Sequence, residues 1–219
     1  MEQFIMKKTL LGSLILLAFA TNAADPQVST ETSGKVTFFG KVVENTCKVK
    51  TDSQNMSVVL NNVGKNHLKT KKDTAMPTPF TINLDNCSTT AATNNNKPVA
   101  TKVGAYFYSW KNADENNEYT LKNTKSGTDA AKNVNIQLFD TNGTDAIEVV
   151  GKGTTDFTRS NTNGVDATQQ TVNKNHISGK ATINGEQNVK LHYIARYYAT
   201  AQAEAGKVES SVDFQIAYE

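Results

Sequence analysis

The sequence predicts an all-β chain folded as a single β-sandwich, and three observations carry that reading. Apolar and polar residues alternate with period 2 in short runs from Val36 to the final residues. No long stretch shows the 3.6-residue period of an amphipathic helix. A hydrophobic content of 37%, set among abundant Thr, Asn and Ser, suits strands joined by polar turns.

The first residues are read as a leader rather than as part of the sandwich. Lys7 and Lys8 form a positive head, "TLLGSLILLAFA" (Thr9 to Ala20) is an apolar stretch, and "TNAA" (Thr21 to Ala24) offers small residues for cleavage. The apolar stretch is too short to span a bilayer, so a secretory signal over residues 1–23 is expected. Met1 and Met6 both suit as the start of that head. Cleavage after Ala23 puts Thr21 at the third position upstream, and cleavage after Ala24 puts Asn22 there, which fits less well.

The strands follow in order. "SGKVTFFGKVVENTC" (Ser33 to Cys47) alternates, with Val36, Phe38, Gly40 and Val42 on one face. Then come "MSVVLN" (Met56 to Asn61) and "PFTINLDNC" (Pro79 to Cys87), the latter with Phe80, Ile82 and Leu84 on one side. "VGAYFYSW" (Val103 to Trp110) precedes "NVNIQLFD" (Asn133 to Asp140), whose Val134, Ile136 and Leu138 alternate. "TNGT" (Thr141 to Thr144) carries the Asn-Gly signal of a hairpin turn into "AIEVV" (Ala146 to Val150). Two long runs close the chain, "VKLHYIARYYAT" (Val189 to Thr200) and "KVESSVDFQIAYE" (Lys207 to Glu219). That many short strands fits one sandwich domain of about 195 residues. The polar stretches 88–102 and 157–179 lack periodicity and are expected as surface loops.

Several function classes find no support. The net charge of +2 is small and no lysine cluster is interleaved with aromatics, so no nucleic-acid partner is expected; Lys71 and Lys72 read as a solvated loop. His67, His176 and His192 are far apart, and none has a carboxylate at metal-ligand spacing. His192 is expected to pack or hydrogen-bond within its strand. Asp114 and Glu115 read as solvated loop charges, and no nucleophile elbow or phosphate loop occurs. No catalytic centre, cofactor or metal is therefore expected. Cys47 and Cys87, in an exported chain, read as a disulfide closing a loop of about 40 residues, worth roughly 4 kcal/mol in chain entropy.

The ordered set "GKVTFFGKVVENTC", "INLDNC", "NVNIQLFDTNGT", "LHYIARYYAT" and "GKVESSVDFQIAYE" resembles the major subunits of chaperone–usher, type 1-like fimbriae, especially the haemagglutinating major pilins. Gly40 seven residues before Cys47, the penultimate Tyr218 and Gly206 near the end all stand where that family has them. The resemblance implies an incomplete immunoglobulin-like β-sandwich lacking its last strand, completed by a donor strand from another subunit. The sequence ends at Glu219, directly after the amphipathic run Val212, Phe214, Ile216 and Tyr218, so no further strand is expected to cover that edge.

From the resemblance, residues 24–43 are expected to be an N-terminal donor extension and 44–219 the pilin domain. Val36, Phe38, Gly40 and Val42 would insert into a neighbouring copy, each buried apolar side chain contributing on the order of 1.5–3 kcal/mol. Gly206, Val212, Phe214, Ile216 and Tyr218 would form the edge that meets chaperone and neighbour. The implied partners are copies of itself in a filament, a periplasmic chaperone, an outer-membrane usher, minor and tip pilins, and a host-cell receptor. A minor adaptor or tip-associated carbohydrate-binding subunit is the alternative, although the length leaves no room for an additional lectin domain.

Overall fold

The computed structural model describes residues 32, 36, 38, 40–44, 47–87, 99–157, 174–183 and 188–219. The leader expected over 1–23 and most of the two polar loops lie outside these residues. The chain divides after Phe39 into two units, Met1–Phe39 and Gly40–Glu219. In the first, Val36 and Phe38 are exposed.

The second unit is a sandwich of two antiparallel sheets. The larger runs in the order β1 (Lys48–Val49), β2 (Thr74–Asp85), β9 (Val189–Glu204), β6 (Lys132–Asp140), β5 (Thr120–Lys122) and β4 (Ala113–Asp114), with β7 (Ala146–Ile147) also on β6. The smaller has β3 (Lys102–Tyr108) between β10 (Asp213–Tyr218) and β8 (Ile177–Thr182). Alternation explains the layering. Ile82 and Leu84 of β2 and Leu191, Tyr193 and Ala195 of β9 turn one face inward, meeting Val103, Ala105 and Phe107 of β3. The Phe107 ring stands edge-on to Tyr193, centroids 5.0 Å apart, which joins the two sheets at the centre of the core.

A smaller core lies at the other end, where Leu68 packs with Ala131, Val134, Ala199 and Ala203. Gly206 is required there, because a Cβ would come within 2.3 Å of the Ala131 nitrogen. His192 bonds through Nδ1 to the Thr81 hydroxyl at 2.9 Å, as its strand position suggests.

Three expectations are corrected. "MSVVLN" forms no strand and pairs with none among the described residues. A four-residue helix, α1 (Thr51–Gln54), precedes it and buries Ser53, whose hydroxyl accepts the Asn83 N–H. Residues 177–179, expected in a loop, begin β8; their pairing to β3 shifts register, so they show no alternation. Gly179 there has φ 63° and faces the Tyr193 ring, which leaves no space for a side chain.

Asp114 is buried, not solvated, and accepts hydrogen bonds from the side-chain amides of Asn117 and Asn135. Glu115 holds the Gly153 N–H. Lys71 and Lys72 are exposed turn residues, as expected, and reach Asn116 and Glu118 across the surface.

Candidate functional site

The sandwich is open along one side. Residues 55–63 form one lip and 206–214 the other. Between them lies a cavity of about 560 Å³, walled by Met56, Val58 and Leu60 on one side and Val212 and Phe214 on the other. Its floor is apolar: Phe107, Leu121, Ile136, Leu138 and Ala195. Further along the same two lips, Val63 faces Gly206 and Val208 across a second cavity of about 250 Å³, floored by Leu68, Ala131, Val134 and Tyr197.

The backbone of both lips is unsatisfied on the groove side. Residues 56–63 make no backbone hydrogen bond to any described residue. Opposite them, the Glu209 carbonyl accepts the Thr124 N–H at 2.7 Å and the Ser211 carbonyl accepts the Asn112 amide at 2.9 Å. These bonds hold the lip from its outer side. In an extended chain successive residues point their backbone groups to opposite sides, so those of Val208 and Ser210 turn toward the groove. They have no partner among the described residues, and the buried Ser210 hydroxyl has none either. Such a row of unpaired backbone groups is an edge open to pairing with another strand.

The other end of the lip is closed. Cys47 and Cys87 form a disulfide, Cα atoms 4.1 Å apart, which fixes β1 beside the end of β2. The Cys47 N–H donates to the Tyr218 hydroxyl at 2.6 Å. Ile216 packs against the main core, and the Glu219 backbone bonds to Thr101 and Lys102. The Glu219 side chain accepts from Lys180 and Asn175; the Lys180 bond, foremost, holds its carboxyl below the usual range. Of the five edge residues, the structure therefore brings Gly206, Val212 and Phe214 to the groove, while Ile216 and Tyr218 seal the sandwich beyond it. Sequence reading missed the floor residues Leu121 and Ala195; their only signal was apolar character on strands too short or too mixed to assign a facing.

Val36, Phe38 and Val42 are 75%, 87% and 91% exposed, and Gly40 is exposed as well.

Residues 34–219 match the family described as fimbrial protein. The chain belongs to that family. A major fimbrial subunit of Haemophilus influenzae is 94% identical over 98% of this chain and 100% of its own length. The F17 fimbrial protein of Escherichia coli is 37% identical, covering 90% of this chain and 93% of its own. A chain from a solved chaperone–usher pilus shares the fold with a TM-score of 0.54 at 20% identity, over 86% of this chain and 97% of its own. This fimbrial subunit is an immunoglobulin-like sandwich short of one strand, and the groove marks where that strand is missing.

Proposed function

We propose that this structural fimbrial subunit polymerises by donor-strand exchange, inserting Val36, Phe38, Gly40 and Val42 of one copy between the lips of the next. The observation that carries this reading is the unpaired groove backbone at residues 56–63, Val208 and Ser210 over an apolar floor. Three buried apolar side chains at about 1.5–3 kcal/mol each, plus about 0.5–1.5 kcal/mol for each new backbone bond, offset the cost of ordering the extension and leave room for a link that dissociates slowly. Gly40 on the apolar face suits a shallow part of the floor.

An open apolar groove has to be covered before assembly. We assign that role to a periplasmic chaperone acting on Gly206, Val212, Phe214, Ile216 and Tyr218, with an outer-membrane usher receiving the subunit. On this reading residues 1–23 direct export and are removed, 24–43 are the donor extension, and 44–219 are the acceptor domain. The filament then joins minor and tip pilins and supports adhesion to a host-cell receptor.

The test is the ladder of polymers that resists mild heating in detergent. Deletion of residues 24–39 should leave the domain able to fold with its chaperone but abolish the ladder. Polymerisation of the truncated chain at the normal level would overturn the mechanism.

A further inference from the structure

Away from the groove, residues from three separate segments converge beside the start of β8. His176 has a left-handed backbone, φ 54°, which a non-glycine residue adopts at a cost. Its side chain is 2% exposed, and its ring lies 4.7 Å from that of Phe157. Nε2 faces Asp156 Oδ1 at 2.7 Å. Glu148, just beyond β7, completes a set whose ligating atoms all lie within 4.8 Å of one another.

A cation already occupies this position. The Lys174 ammonium lies 2.5 Å from Glu148 Oε2 and 4.0 Å from Asp156 Oδ2. Its side chain is 44% exposed, so it can withdraw into water at the small cost of a surface ion pair. A cavity of about 340 Å³ opens beside Glu148 and His176 and leaves room for a water ligand.

We propose that Glu148, Asp156 and His176 bind one zinc ion, with water as the fourth ligand and Lys174 as the cation it displaces. One imidazole nitrogen and two carboxylate oxygens make a tetrahedral zinc set, with ligand distances of about 2.0–2.2 Å. The imidazole nitrogen disfavours calcium and magnesium, which take oxygen ligands. Nε2 must carry no proton when it ligates, so the metal-binding tautomer holds its hydrogen on Nδ1. The ion would fasten β8, an edge strand, to the exit of β7 through groups that no sequence spacing brings together.

Fimbriae sheared from cells, stripped with chelator, equilibrated with zinc sulfate and pelleted provide the test, with zinc per subunit read by elemental mass spectrometry. Wild-type fimbriae should take up one zinc per subunit. Glu148→Gln, at a partly exposed side chain that folding tolerates, should weaken uptake at least about tenfold. His176→Gln should abolish it, and Lys174→Met should strengthen it several-fold. Cobalt in place of zinc should give the intense visible absorption of a tetrahedral site in wild type and not in Glu148→Gln. Wild-type uptake no higher than the chelator blank, equal uptake by wild type and Glu148→Gln, or uptake lost in His67→Ala/His192→Ala would each overturn the assignment.

Discussion

The backbone N–H of Cys47 donates to the hydroxyl of Tyr218 at 2.6 Å, across 171 positions of sequence. The first residue of the disulfide and the penultimate residue of the chain thus close the same end of the sandwich. Removing the hydroxyl leaves a partly buried N–H without its partner. Tyr218→Phe is expected to cost about 1–2 kcal/mol, lowering the melting temperature by about 2–8 °C. Thermal unfolding of a subunit supplied with its donor peptide measures this, and an unchanged midpoint would show that water serves the N–H equally well.

The disulfide closes a loop spanning 40 positions. Cys47→Ser is expected to remove roughly 4 kcal/mol of chain-entropy stabilisation, a large part of a domain's net stability, and to lower subunit yield sharply. Quantitative blotting of exported subunit tests this; full yield would show that β1 is held by the Cys47–Tyr218 bond and packing alone.

Phe214 stands at the groove lip with its ring 6.2 Å from that of Phe107. Phe214→Asp would place an unpaired carboxylate on an apolar wall, where burial is very costly. Co-purification with the chaperone is expected to fall well below wild type. Recovery of the complex at normal yield would remove Phe214 from the binding edge.

Gly206 abuts the backbone of Ala130 and Ala131, whose N–H bonds the Lys207 carbonyl at 2.9 Å. Gly206→Val is expected to push this lip away and cost about 1–3 kcal/mol. Hydrogen exchange at the Ala131 amide is the specific readout, since protection there should drop while that of the β2–β9 pair persists.

Burial, aided by the adjacent Glu118 charge and hydrogen bond, pushes the Tyr198 phenol up to about 12. The unfolded phenol ionises near its ordinary value of about 10. The folded state therefore holds its proton longer, and the stability this confers is present below pH 10 and lost as pH rises toward 12. Tyr198→Phe should flatten the alkaline limb of the stability profile in that window. An unaltered limb would assign the loss to other groups.

The strands that could be read from sequence are those buried on one face. Ile82 and Leu84, or Leu191 and Tyr193, alternate because one side meets the core and the other faces outward. The β6 strand was legible through Val134 and Leu138, yet Asn135 and Gln137 on its other face are also buried, and Asn135 bonds to Asp114 and Thr120 of β4 and β5. The β8 strand escaped notice because a bulge and Gly179 break its period. The groove was half legible: Val212 and Phe214 announced an apolar lip, but the opposite lip at Met56 to Leu60 reads as an ordinary strand until its partner proves absent. The His176–Asp156 contact was invisible, since it joins residues 20 positions apart across a polar stretch without periodicity.

The Cys47–Cys87 bond also has a mechanical meaning. A pull on the residues that precede Cys47 crosses the sulfur bridge directly to Cys87, two residues beyond the end of β2. The 40-position loop between them is bypassed and bears no tension. At about 3.3–3.6 Å per residue, roughly 140 Å of contour is withheld from any stretching of the subunit. The β2 strand lies inside that bypassed loop, so its long antiparallel register on β9 is shielded from the pull, as is the lip at Met56 to Leu60, and the load continues from Cys87 into the chain that leads to β3.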